Sequence, residues 1–285
     1  NVRRGRRVPF ALVLATALIA TAVGAAGDVE AVAECPSEKK KADDLVDAGR
    51  LLAKTGQMAE ARACFKRAVA ANPRYVPGLM EAGQSAIVEE RFQDSINLYA
   101  AALKIEVLAP ALNNMAIAYH QMGAAMDAVA IYRRVIKLDE DDATSHYNLG
   151  TALEIAKQYK DASKAYREAI ELEPEEAKYY NNLGGCLAAL NKTETAERSY
   201  KWAIKLDNRF ADAYYNMGNF LLGNGRIEES MEILEKCLKV KPDHAKCIRK
   251  LEETKKALEE KAEAFKGQID EAIEKAEKMR SRGEL

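Results

Sequence analysis

Four asparagines, Asn114, Asn148, Asn182 and Asn216, stand 34 residues apart in a chain of 285. A carboxamide carries two N–H donors and an acceptor oxygen, so each can pair with both an N–H and a C=O of an extended peptide. A ladder of such groups would grip polypeptide backbone irrespective of its sequence, provided the fold turns them all to one side. If they only satisfy nearby backbone, they bind nothing. Asp47 and Glu81 hold the corresponding places nearer the amino terminus, so the ladder is confined to the later part of the chain.

Other chemistry has little support. Of five cysteines, Cys237 and Cys247 lie at mirrored places about Pro242. Antiparallel packing of the flanking helices would bring them within the roughly 7 Å that a bridge allows. A disulfide is expected there in an oxidising compartment; otherwise each cysteine fills a small-residue slot. Cys35, Cys64 and Cys186 have no neighbour that suggests a pair. No Cys-x-x-Cys or His-x-x-x-His spacing occurs, so neither a metal nor a cofactor is expected. His146 takes the register of Leu112, Tyr180 and Tyr214 and reads as a core residue, while His120 and His244 fall near helix ends. No histidine has a nucleophile or orienting acid at matched spacing, and a Gly-x-x-x-x-Gly-Lys phosphate loop is absent. No catalytic residue is assigned, and an enzyme is not expected. The net charge of −1, with 31% charged residues, argues against bulk nucleic-acid binding, which needs a basic surface to displace counterions.

The elements that would position the ladder follow from the same period. Residues 143–176 serve as a ruler: Leu149, Gly150, Leu153, Ala162, Tyr166 and Ala169 fall at helical spacings, and Pro174 closes the unit. Two amphipathic helices are implied, broken near Lys157 and Gln158. Gly150 and Ala162 allow close approach, and Tyr166 fills the space between the helices. The pattern recurs in residues 109–142, 177–210 and 211–244, and more loosely in 42–75 and 76–108, the last of these one residue short. Supersecondary units at a fixed period of this kind stack into a solenoid.

These residues resemble the tetratricopeptide repeat (TPR) family over residues 42–244. The resemblance implies an all-α fold: a right-handed α-solenoid of six helix hairpins with a concave inner face. In that family the residue before the Leu-Gly pair faces the inner groove, which would place Asn114, Asn148, Asn182 and Asn216 as peptide-binding residues. The ladder is similar to that in the superhelix of O-linked N-acetylglucosamine transferase, where it holds protein substrates; no catalytic domain of that kind follows here. Asn216, Lys246 and Lys250 match three of five positions of the carboxylate clamp of chaperone-binding repeat proteins. Asn181 and Gly185 stand where that clamp wants lysine and asparagine. The alternative for Lys246 and Lys250 is a solvated face.

After His244 the period stops. Residues 245–285 read as a capping helix that outruns the repeats, with Leu251, Leu258, Phe265, Ala272 and Met279 seven apart. It is either a long charged cap or a coiled-coil-like arm. At the other end, residues 1–41 hold Arg3, Arg4, Arg6 and Arg7 ahead of an uncharged run, residues 8–27. That run suits either a retained transmembrane helix or a cleaved signal ending near Ala31-Val32-Ala33. We favour an anchor, with the repeats on the trans side by the charge rule. The start at Asn1 together with an arginine-rich export segment looks like the remainder left by a chloroplast transit peptide. The thylakoid lumen is therefore the favoured compartment, ahead of bacterial periplasm and endoplasmic reticulum lumen. The expected function is a membrane-anchored interaction scaffold, an accessory subunit of a membrane complex with a photosystem favoured, holding an extended peptide segment. A transient assembly factor or co-chaperone, and a substrate-recruiting subunit of a separate enzyme, are the alternatives.

Overall fold

The computed structural model describes residues 35–36 and 40–281. The hydrophobic segment at residues 8–27, expected as an amino-terminal helix in the membrane, lies outside the described residues. Within them there are thirteen α-helices and no strand. Six hairpins pair α1 (Ala42–Lys54) with α2 (Met58–Ala71), α3 (Val76–Val88) with α4 (Phe92–Leu103), and α5 (Ala109–Gln121) with α6 (Ala125–Leu138). They continue with α7 (Ala143–Ile155) and α8 (Tyr159–Leu172), α9 (Ala177–Ala189) and α10 (Thr193–Leu206), and α11 (Ala211–Gly223) and α12 (Ile227–Val240). A last helix, α13 (Ala245–Ser281), follows. In the short repeat α4 has 12 residues where α2 has 14, and the connection that follows it, 104–108, is one residue longer than 72–75.

Three local devices set the hairpin. The first is a missing side chain: a Cβ on Gly150 would stand 2.6 Å from the ring of Tyr166, which is fully buried. The second is one left-handed residue at each hairpin turn. Gly56, Gly123 and Gly225 supply it without strain, but Glu90, Lys157 and Asn191 adopt φ of 57–58° as well, at a cost of about 1–2 kcal/mol for a residue with a Cβ. The third lies between hairpins, where Asn72, Asp139 and Asp207 each accept a hydrogen bond from the backbone N–H two residues on, a side-chain mimic of a turn. Pro174 and Pro242 hold the equivalent corners elsewhere.

Stacking yields two layers. The first helices of successive hairpins touch one another, α1 to α3, α3 to α5, α7 to α9, α9 to α11 and α11 to α13, whereas the second helices make no comparable contacts with each other. The first helices therefore form the inner face of the solenoid. A continuous core of small and large side chains runs between the layers, from Leu112 through Tyr132, Leu153 and Tyr166 to Leu187 and Leu221.

One expectation needs correction. His146 is not a core residue: it is half-exposed, and its ring nitrogen lies 3.0 Å from the Glu140 carbonyl oxygen. Tyr180, one period on, is also half-exposed and stacks on Trp202, while the preceding Tyr179 takes the fully buried place. In α13, Cys247, Leu251 and Thr254 are buried against the last hairpin. Beyond that stretch Phe265, Ile269 and Ile273 are exposed. The cap and the longer arm are thus two successive parts of one helix.

Candidate functional site on the inner face

Each repeat contributes a polar rung to the inner face, and the rungs are not equivalent. At the first two, Arg50 donates to Glu81 at 2.7 Å and approaches Asp47 at 3.9 Å, so both acids are engaged within the chain. Asn114, Asn148, Asn182 and Asn216 are all half-buried. Asn182 donates to the hydroxyls of Tyr147 at 3.3 Å and Tyr166 at 3.4 Å, and accepts from Asn181 at 3.0 Å. Asn216 donates to Asn181 at 3.0 Å. By the repeat, Asn148 should reach Asn113 in the same way, but that bond is not made. The Asn113 Oδ1 atom is buried without a partner. The ladder therefore has spent rungs at Asn182 and Asn216 and an uncommitted one at Asn148.

The spent rungs belong to a network that the residue pattern alone did not reveal. Tyr166 donates to Glu154 Oε2 at 2.7 Å, with Thr151 Oγ1 3.3 Å from the same hydroxyl. Burial raises the Glu154 pKa, against the lowering effect of hydrogen bonds from Tyr166 and Cys186. Burial, then the nearby Glu154 charge, pushes the Cys186 thiol well above its ordinary range. Cys186 is buried and unbridged. The signal for this cluster was present in the period: the register of Glu154 carries Ala53, Ile87, His120, Ala188 and Leu222 in the other hairpins.

Comparison with known proteins fits this geometry. Tetratricopeptide repeat models match residues 46–111, 143–176, 165–198 and 211–244, and a TPR repeat model matches 118–154 and 186–225. The chain is a tetratricopeptide repeat protein. Among solved structures, a tetratricopeptide repeat protein from Parabacteroides merdae aligns with a TM-score of 0.68 at 18% identity, over 78% of this chain and 88% of its own. YrrB, described as a TPR protein with an unusual peptide-binding site, aligns at 0.52 and 22% identity, over 65% and 96%. MamA from Desulfovibrio magneticus aligns at 0.55 and 19%, over 59% and 96%. A search of curated proteins gives no match. These likenesses establish the tetratricopeptide solenoid, a scaffold that characteristically binds protein partners or peptides.

The end of the TPR array bears on the clamp. Lys250 pairs with Glu253 at 2.9 Å. Lys246 lies 3.9 Å from Asp212 and 5.7 Å from the centre of the Tyr215 ring. Both lysines thus already face partners of this chain. Cys237 and Cys247 form a disulfide across the Pro242 corner, with Cα atoms 6.5 Å apart. His244 is buried beside them, accepting from the Cys247 N–H at 3.2 Å and facing Asp212 at 3.3 Å. Ligand atoms of Cys237, His244 and Cys247 lie within 4.8 Å of one another, a grouping that motif spacing missed because it is made by packing across a corner. With the sulfurs joined to each other, they do not offer the thiolates a metal needs. A second disulfide joins Cys35 to Cys64 on α2. No described helix is long and apolar enough to cross a membrane.

Proposed function

We propose that this protein is a non-catalytic interaction scaffold that holds an extended polypeptide along the inner face of its TPR array. The observation that carries the reading is the uncommitted carboxamide of Asn148, set on the layer of first helices one repeat before the internally bonded Asn182. It retains donors and an acceptor for a guest backbone. Asn114 occupies the same register one repeat earlier, while the rungs at Asn182 and Asn216 act chiefly as rigid floor. The peptide-binding site for which YrrB is named supports this use of the fold. Two disulfides support placement of the repeats in an oxidising compartment, and the arginine-flanked run at residues 8–27 supports anchoring there. On that basis we favour a lumenal accessory subunit of a membrane complex over a transient assembly factor.

Replacing Asn148 and Asn114, the latter beside the buried Tyr99 hydroxyl, with alanine should weaken partner capture about tenfold, the equivalent of one or two net hydrogen bonds, with a thermal melt to show that the array stays folded. Unchanged capture by a folded variant refutes the groove reading. A photo-crosslinker at position 148 in native membranes would identify the guest. Stoichiometric recovery with a membrane complex after detergent washing supports the subunit role, and loss on washing favours the assembly factor.

A further inference from the structure

Among the described residues, Glu154 on α7 has no cation beside it. Glu154 accepts from Tyr166 and is influenced by Cys186, but it takes no part in a salt bridge within the described residues. Other acids do have a cation beside them, as Glu81 has Arg50 and Glu253 has Lys250. Lys178, on the adjoining helix, pairs with Glu176 at 3.3 Å and lies over the rings of Tyr147 and Tyr179. A half-buried carboxylate lacking a counter-charge is costly, and a guest cation would offset that cost.

The residue facing it is the one that leaves it open. A Cβ on Gly185 would lie 3.7 Å from Glu154 Oε1 and 3.7 Å from the Tyr200 hydroxyl. Anything larger than alanine would therefore extend across the carboxylate. At this register the other hairpins carry Arg50, Gln84, Ile117, Thr151 and Asn219, so the fold accepts bulk there and glycine is not demanded by packing. An acid at one register meets a glycine at the next, and this coincidence occurs at a single junction, between α7 and α9. Oε2 is occupied by Tyr166 while Oε1 is turned toward the gap.

We propose that Glu154, uncovered by Gly185, seats one basic side chain, lysine or arginine, of the polypeptide held on the inner face. The inference rests on the groove reading above and adds selectivity to it. The carboxamide rung grips backbone without regard to sequence, and Glu154 fixes the register by demanding a cation at one place.

The test uses randomised twelve-residue peptides displayed on phage and selected against the full chain. Enriched peptides should carry lysine or arginine at one aligned position. A synthetic binder and its counterpart with glutamine at that position are then compared by fluorescence anisotropy. The glutamine peptide should bind the wild type at least about tenfold more weakly, as expected for a lost charge-assisted hydrogen bond. Against Glu154→Gln the two peptides should differ less than about twofold, and Gly185→Leu should bring the basic peptide down to its counterpart. Thermal melts of both variants report that the array is intact. Enriched peptides without a basic position, or an equal arginine-to-glutamine loss in Glu154→Gln, overturn the inference. If those peptides still lose affinity in the Asn114, Asn148 double variant, the groove reading survives that failure. Absence of any enrichment, or indifference to the asparagine changes, overturns both.

Discussion

The close contact between Gly150 and Tyr166 makes a paired prediction. Gly150 and Gly185 both sit inside first helices, so changing either to alanine gains the same helix propensity, about 0.8–1.0 kcal/mol. Their surroundings differ. At Gly150 the new methyl would stand 2.6, 2.7 and 3.0 Å from Tyr166 ring atoms, whereas at Gly185 nothing lies closer than 3.7 Å. The Tyr166 ring is fully buried and cannot swing into solvent. Overpacking of this kind costs about 1–3 kcal/mol. Repeat three builds its hairpin around Ala116 and Tyr132, both buried, so slight widening is open to the fold and the lower half of that range is the better figure. Gly185→Ala should then stabilise by up to about 1 kcal/mol, and Gly150→Ala should fall below it by about 1–2 kcal/mol. At roughly 2–4 °C per kcal/mol for a domain of this size, the two melting temperatures should separate by some 2–8 °C. Circular dichroism melts, with hydrogen exchange to locate the loss in α7 and α8, make the measurement. Equal or higher stability of Gly150→Ala refutes the account of why glycine stands there.

Four further outcomes follow from named features. Lys157→Gly should stabilise by about 1 kcal/mol by relieving a left-handed residue, and a destabilised variant in urea titration would refute the strain. Replacing Cys237 and Cys247 by alanine removes a bridge of sequence separation 10 and should cost about 2–3 kcal/mol, read as faster exchange in α12 and the start of α13; unchanged exchange there contradicts it. Non-reducing mass spectrometry should find both bridges, with Cys186 reacting with iodoacetamide only on unfolding; prompt labelling of the native protein would overturn its burial. The raised pKa of Glu154 means the native state holds that proton more tightly than the unfolded chain, so ionising Glu154 costs stability. The cost is absent below the unfolded value of about 4.3 and grows as pH rises through the folded one. Glu154→Gln should therefore gain on the wild type in melting temperature as pH rises above the unfolded value, and a flat difference would refute the shift.

The period carried most of the architecture because each hairpin meets its neighbours in the same way. Leu149, Gly150 and Tyr166 repeat with their contacts. What escaped was whatever happens once. Cys35, which lies outside the array, meets Cys64 on α2, and no second copy advertises that contact. Asn182 and Asn216 share a register with Asn148, but their bonding depends on Asn181, whose counterparts are Asn113 and Tyr147 in the two repeats before. His146 shares a register with Leu112, yet the neighbouring Tyr179 has already filled the interior one repeat later. Glu154 was readable only as an exception within its own column of residues.

The long last helix has a geometric consequence. Its 23 residues from Glu259 to Ser281 span about 35 Å at 1.5 Å per residue, held off the body of the protein. Whatever grips the tip is kept at a set stand-off from the array, as by a surveyor's rod. A molecule bridging tip and trough would gain from both contacts only if its own attachment points match that reach.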